Sequence, residues 1–402
     1  MTTSISRRTA AQIGLLAPLS LLLAACSAGS EAGGSQGASG GTVKDEATHG
    51  FRDTDLGVNL GTPTPVELGH ATQFTLDSYE SGHQLLCMAN GDRLLIVPES
   101  QMVPDGLVPS VGVVQQPLSN VYLVSTAMIC LVDAIGALDA VGVSSVKAED
   151  SPVSDFTARL DDGSISYGGI YREPDYELIA AVGCPLAIEN TNIDHVPEVR
   201  AKLEELGVTV LMEQSSREDS MLGRLEWIRV MGALFDRNEE AAKVYEDVSA
   251  RVKDVSGQGS VGKTVAFFYI NEDGAAVTRR EGDYFCQMIE AAGGTYVSFT
   301  EEGAADSSPT TVTVEMERFY EGARDADVII YNGTIDEGVS TLEALVEKNG
   351  LLADFRAVQN GDVWTCDSSL YQQITSMADI IEELRAALTG SSEGGRFFWR
   401  LG

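Results

Sequence analysis

The side chains best suited to metal binding or proton transfer are the four histidines, His49, His70, His83 and His195. No two of them stand at the HxxxH or HxxH spacing that gathers ligands on one helix face or turn. His49 and His70 fall in or near a polar stretch. His195 precedes a helix-like run, where a solvent-facing turn is its expected place. No serine stands at a strand-to-helix nucleophile elbow, and no pair of carboxylates is spaced for hydrolysis. One formal motif remains, because Gly257-Gln258-Gly259-Ser260-Val261-Gly262-Lys263-Thr264 satisfies the phosphate-loop pattern. Such a loop binds phosphate when a strand precedes it and a helix follows, so that backbone N–H groups and the helix N-terminus face the anion. Here a helical run precedes and an apolar strand over 265–269 follows, so a linker accounts for the glycines and the nucleotide reading falls. These residues make a poor case for an enzyme, and an extracellular metal-dependent one is the weakest alternative.

The cysteines divide into two kinds. Cys26 closes the sequence Leu23-Ala24-Ala25-Cys26, after Ser6-Arg7-Arg8 and an apolar stretch interrupted by Pro18 and Ser20. That stretch falls short of the roughly 20 apolar residues that cross a bilayer, and it fits a secretion signal. Small residues before the cut admit a peptidase, and the cysteine after it offers a thiol for diacylglycerol. The arrangement resembles a bacterial lipoprotein signal, so Cys26 is the expected lipid attachment. The chain is then expected to be exported and anchored to the outer face of the cytoplasmic membrane. Arg7-Arg8 also resembles a twin-arginine signal, although Thr9-Ala10-Ala11 lacks the bulky apolar residues that usually follow the pair. Both export routes stay open. The five other cysteines, Cys87, Cys130, Cys184, Cys286 and Cys366, are widely spaced with no CxxC pair. Most have apolar neighbours and read as small core residues, not as a disulfide framework or a zinc site.

The chain has 402 residues, is 44% hydrophobic and carries a formal net charge of −33. That length holds two domains with proper cores. The acidity repels phosphate backbones and anionic lipid surfaces, which excludes nucleic acid as a partner. Residues 27–41 are a Gly/Ala/Ser run, and polar low-complexity sequence continues to about position 65. Such a segment cannot bury enough apolar surface to fold. If flexible, it spans about 30–35 Å. The expected organisation is a signal peptide over 1–25, a lipid-anchored linker over 26–65 and a β-rich extension over 66–108. An N-terminal α/β lobe over 109–237, an inter-lobe helix and linker over 238–260 and a C-terminal α/β lobe over 261–402 complete it.

Asn90-Gly91-Asp92 between the apolar runs 84–88 and 93–97 predicts a hairpin. Beyond it, apolar runs alternate with helical patterns, predicting strands at 111–114, 141–143, 186–189 and 208–212. The helices between them are expected at 122–138, 177–182 and 196–206. Leu222, Leu225, Ile228, Met231 and Phe235 mark one helix face, and Asn238 is placed to cap a following helix of about 15 residues. A second series predicts strands at 265–269, 296–298, 328–331 and 363–366, with helices at 284–292, 314–322, 342–348 and 374–388. Such alternation gives two Rossmann-like α/β lobes with mostly parallel central sheets, joined by a single long helix.

Ligands of open α/β sheets bind outside the carboxyl ends of the strands. The loops that satisfy this carry Tyr122, Tyr171, Arg172, Asn190 and Thr191 in the N-lobe. In the C-lobe they carry Tyr269, Asn271, Arg279, Tyr284, Asn332 and Tyr371. Aromatic rings there can stack on a flat macrocycle. Arginines, scarce in so acidic a chain, point to an anionic ligand.

Tyr171-Arg172-Glu173-Pro174-Asp175-Tyr176-Glu177-Leu178-Ile179, leading to Cys184-Pro185-Leu186-Ala187-Ile188, resembles the solute-binding proteins of ABC importers for iron-siderophores, haem and cobalamin. Four further segments follow the same family's order over nearly everything after position 111. They are the run from Ser125-Thr126-Ala127 to Val141-Gly142-Val143, Met231-Gly232-Ala233-Leu234-Phe235 with Glu240-Ala241-Ala242, Met288-Ile289-Glu290-Ala291-Ala292-Gly293-Gly294, and Asn360-Gly361-Asp362-Val363-Trp364. The resemblance implies a shallow cleft between two fairly rigid lobes, and on each lobe a glutamate for the arginines of a permease. Glu177 matches the N-lobe position. At the C-lobe position stands Gln287, with Glu281, Asp283 and Glu290 as nearby acids. The resemblance further implies a receptor that delivers a metal chelate, whether ferric siderophore, haem or corrinoid, to an ABC permease and its ATPase. No intrinsic cofactor is expected, and Tyr171 is the first candidate for an axial haem ligand. The chain is expected to act as a monomer. The alternative is a ligand sensor or scavenger with the same fold and no permease.

Overall fold

The computed structural model describes residues 50–301 and 310–402. The export signal, Cys26 and the linker as far as His49 lie outside the described residues. The first described sheet is a meander of Phe74–Ser78, Gln84–Met88 and Arg93–Val97, antiparallel in that order. Its second turn works because Gly91 takes a φ of 89°, which a Cβ would oppose. Thr64–Pro65 extends one edge, and Val111–Gln115 adds to the other, parallel to Arg93–Val97. Alternation sends Phe74, Leu76, Leu86, Met88, Leu94 and Ile96 into the main core. Leu85, Cys87, Leu95 and Val97 close a smaller core with Leu56 and Tyr79.

Two buried glutamates fasten the segment that enters this sheet. Glu226 accepts the N–H groups of Gly69, His70 and Ala71, each at 2.8 Å. Glu218 accepts those of Thr72 (2.7 Å) and Gln73 (3.2 Å) and the indole N–H of Trp227 at 2.9 Å. Charged acceptors fully occupied by N–H donors make burial of the carboxylates tolerable.

The N-lobe sheet is parallel throughout, in the order Thr209–Met212, Leu186–Glu189, Val121–Leu123, Val141–Ser144, Ser166–Tyr167. The earliest strand sits at the centre, so the winding reverses between Val121–Leu123 and Leu186–Glu189. The C-lobe sheet runs Thr311–Val314, Ala276–Arg279, Thr264–Ile270, Val328–Tyr331, Val363–Cys366, Phe398–Arg400, with Thr295–Tyr296 beside the start of Thr264–Ile270. Its central strands are parallel and its margins antiparallel. Winding reverses here between Thr264–Ile270 and Val328–Tyr331.

The helices Met221–Glu226 and Ile228–Phe235 lead through Asp236, at φ 55°, into the inter-lobe helix Asn238–Ser256. This helix has 19 residues and is therefore about 28 Å long. It packs on the closing helix Met377–Thr389, to which Arg251 adds ion pairs with Asp379 (2.6 Å) and Glu382 (2.8 Å). With a helix before it and the strand Thr264–Ile270 after it, the glycine-rich segment at 257–263 has the inverted order expected of a linker.

Six expectations differ from this architecture. The polar stretch expected to stay unfolded to position 65 is built into the first sheet before that, because Leu56 is buried in the smaller core and Thr64–Pro65 pairs with Phe74–Ser78. The strand expected at 111–114 in the N-terminal α/β lobe instead joins this β-rich sheet, beside Arg93–Val97. The helix expected over 122–138 is the strand Val121–Leu123 followed by the shorter helix Thr126–Ala134. A wholly buried apolar run carries no period that separates strand from helix. The helix expected from position 314 starts at Met316, after the strand Thr311–Val314. The single helix marked by Leu222 to Phe235 is two, with Trp227 between them. Asn238 does not cap: Arg237 holds the N-cap position without a side-chain bond, and the Asn238 amide reaches Gln84 Oε1 at 3.4 Å.

Candidate ligand cleft

The two reversals of winding define where each sheet opens a crevice at its carboxyl end. In the N-lobe that crevice is bordered by Ser125, Asn190 and the loop after Met212. The Asn190 side chain accepts the N–H of Asn192 at 2.9 Å and so shapes the short turn Thr191–His195. The Thr191 hydroxyl meets that of Ser216 at 3.4 Å, which joins two neighbouring loops across the crevice. Glu213 is buried, taking the Ser125 hydroxyl at 2.8 Å and the Ser215 N–H at 2.7 Å. Tyr171 and Arg172 lie on a small hairpin beside the same lobe, formed by Gly169–Ile170 and Glu173–Pro174. The Arg172 Nε donates to the Tyr171 hydroxyl at 2.8 Å. That bond leaves Arg172 exposed and orients the phenol. Glu177 is exposed in the first turn of the helix Tyr176–Ala181, which Asp175 caps through the N–H of Leu178 at 2.9 Å.

Tyr122 is placed differently from its expected loop. It lies within the central strand, wholly buried, because a β-strand between two others points alternate side chains into the helix layer. Its hydroxyl sits near Ser145 and Glu189, and burial, then Glu189, pushes the phenol well above its ordinary range. Glu189 is the residue that sequence reasoning missed. It closes the strand Leu186–Glu189 on the same face as Tyr122, has no exposure, and neither carboxylate oxygen finds a hydrogen-bond partner among the described residues. Burial pushes this carboxyl up to about 8, so it is largely protonated at neutral pH. Read in the sequence, it looks like the polar end of a strand.

In the C-lobe the structure gathers three expected residues, Arg279, Tyr284 and Tyr371. Arg279 is not in a loop but ends the strand Ala276–Arg279. Its guanidinium lies 4.5 Å from the Tyr371 ring centre, its Nε donates to the Tyr371 hydroxyl at 3.2 Å, and Asp283 stands 3.7 Å away. The Tyr284 and Tyr371 rings meet edge to face at 5.9 Å. Arg224, from the N-lobe side, covers Tyr284 at 3.9 Å. These groups therefore satisfy one another. Burial raises the Tyr371 and Tyr284 phenols, against the pull of the arginines.

The other C-lobe residues stand apart from that cluster, at the reversal of winding. Asn271 closes the turn after Thr264–Ile270, accepting the N–H groups of Asp273 (3.1 Å) and Ala275 (2.9 Å). Asn332, buried at the end of Val328–Tyr331, accepts the Thr334 hydroxyl at 2.6 Å. Tyr269 packs half-buried against the second core of this lobe. Gln287, expected at a permease contact, is half-buried and bonded to the other lobe through Asp219 and Met221. His195 is an exposed turn residue.

Several concavities lie elsewhere. One of about 490 Å³ is lined by Pro98, Gln116, Leu118, Ala137, Phe235 and Arg237 among others, at the amino ends of the N-lobe strands. A polar one of about 230 Å³ separates the lobes between Cys130, Asp133, Ser154, Gln373, Thr375 and Arg396. Neither contains an expected cleft residue. Among the described residues no three His, Cys, Asp or Glu side chains gather as a metal site, and no helix is long and apolar enough to cross a membrane. The five cysteines beyond Cys26 are free and buried.

A lipoprotein of Methanocaldococcus jannaschii, itself uncharacterized, is 25% identical over 321 residues, which cover 77% of this chain and 75% of that one. Two solved structures share the fold. A periplasmic heme binding protein from Pseudomonas aeruginosa superimposes with a TM-score of 0.53 at 16% identity, over 71% of this chain and 99% of that one. The petrobactin-binding protein YclQ of Bacillus subtilis gives 0.53 at 16%, over 68% and 93%. Residues 123–370 match the profile of the periplasmic binding protein family. Two α/β lobes on one long helix, matched by that profile across both, make this chain a member of the periplasmic binding protein family.

Proposed function

We propose that this chain is the membrane-anchored, extracellular solute-binding component of an ABC importer, and that it captures an iron complex or a corrinoid. The observation that carries the reading is the pair of reversed-winding sheets hung on one helix, whose carboxyl-end loops supply phenols, amides and guanidinium groups. Support for the ligand class comes from structural neighbours that bind haem and petrobactin. Support for the anchor comes from the related lipoprotein and from Cys26.

Tyr171, Arg172, Asn190 and Thr191 are the N-lobe groups for the ligand, and Tyr269, near the carboxyl end of its strand, Asn271 and Asn332 are those of the C-lobe. Arg279, Tyr284 and Tyr371 are engaged with one another and act behind that rim. Glu177 is the permease contact of the N-lobe. Glu281 and Glu290, both exposed, are the acids left for the C-lobe, since Asp283 is turned toward Arg279 and caps its own helix. Glu177→Arg is expected to abolish uptake of the chelate by cells while leaving its affinity for the purified protein unchanged. Undiminished uptake would refute the docking role of Glu177, and uptake that also survives loss of the whole chain would favour a sensor that feeds no permease.

A further inference from the structure

The helix Tyr284–Ala291 belongs to the C-lobe, and Gln287 lies one turn into it. Its amide reaches across to the segment that follows the last N-lobe strand. The Nε2 group donates to the carbonyl of Asp219 at 2.5 Å and to that of Gly282, in its own lobe, at 2.8 Å. The Oε1 accepts the N–H of Met221 at 3.2 Å. Both amide hydrogens and the carbonyl oxygen are thus used, each in the one orientation that matches donor to acceptor. Exchanging O and N would set an oxygen against two carbonyls.

The far end of this bridge is fixed. Glu218, next to Asp219, is locked to Thr72, Gln73 and Trp227. Ser220 caps Met221–Glu226 by accepting the N–H of Gly223 at 3.1 Å. Arg224 on that short helix then covers Tyr284, three residues before Gln287. The C-lobe helix therefore meets a rigid part of the N-lobe, not a loose loop.

We infer that Gln287 is a positioning residue, an inter-lobe latch that fixes the angle between the lobes and with it the width of the cleft. Its meaning for ligand capture rests on the solute-binding reading, but the latch itself does not. A carboxylate at this position has the same size and no hydrogen to donate, so it faces two carbonyls with like polarity. Alanine removes the bridge without repulsion. An acid suited to a permease is thus the wrong group here.

The test uses the full chain, with spin labels carried by noncanonical residues at the exposed positions Asn192 and Glu337, one on each lobe. Labelling in this way bypasses the buried cysteines. The wild type is expected to give one narrow distance distribution by pulsed electron resonance. Gln287→Ala should broaden it, and Gln287→Glu should broaden it further and shift its mean, with circular dichroism unchanged in both. Identical distributions in all three proteins, or a larger effect of alanine than of glutamate, would overturn the latch. No ligand enters this measurement, so its outcome is separate from any failure to bind haem or a siderophore.

Discussion

Glu189 is a carboxyl group that the fold has taken out of water without a hydrogen-bond partner among the described residues. Its folded value of about 8 lies above the 4.5 of the free side chain. The folded protein therefore holds a proton that the unfolded chain releases between those values. Its contribution to stability is complete below about pH 4.5 and is lost as pH rises through about 8. Glu189→Gln removes the titration and is expected to stabilise the protein by roughly 2–3 kcal/mol at pH 7, with little change at pH 4.5. Urea unfolding of both proteins across this range measures it, and an equal gain at both pH values would contradict the assignment. The opposite case is Glu226, whose carboxylate is saturated by three N–H donors. Glu226→Ala leaves the buried Ala71 N–H and the part-buried N–H groups of Gly69 and His70 without their acceptor and is expected to cost about 1–3 kcal/mol in the same assay.

At the scale of elements, the junction between Ile228–Phe235 and the inter-lobe helix depends on Gly232. A Cβ there would stand 2.6 Å from that of Ala241 and 3.0 Å from the Arg237 carbonyl. Gly232→Ala should therefore destabilise the protein by about 1–3 kcal/mol, read as a lowered thermal midpoint. Leu186–Glu189, Val328–Tyr331 and Val363–Cys366 were legible to the residue in the sequence as short apolar runs with polar residues close by, and Leu342–Lys348 as a helix by its apolar positions 342, 345 and 346 after Thr341. Val121–Leu123 was not, since Val124 and the helix beyond it extend the apolar run. The candidate site divides in the same way. Loop residues such as Asn190 and Asn271 follow strands and announce themselves by type. The stack of Arg224, Tyr284, Tyr371 and Arg279 joins three distant segments, and only packing reveals it. For the same reason Gln287 read as a missing acid, when it serves the contact between lobes.

Among the described residues the whole molecule is two α/β lobes and a bridging helix, with the largest core shared by both lobes. The latch at Gln287 and the ion pairs of Arg251 favour a small closing motion, in keeping with a shallow cleft. In the proposed reading, so acidic a chain leaves ligand charge to be met locally, by Arg172. The most direct measurement of the central claim is titration of the full chain with haem, a ferric siderophore and cobalamin, followed by absorbance and tryptophan fluorescence. The account predicts saturable one-to-one binding of one of these, weakened at least tenfold by Tyr171→Ala with the fold intact. Saturation by none of the three, in a folded protein, would contradict it.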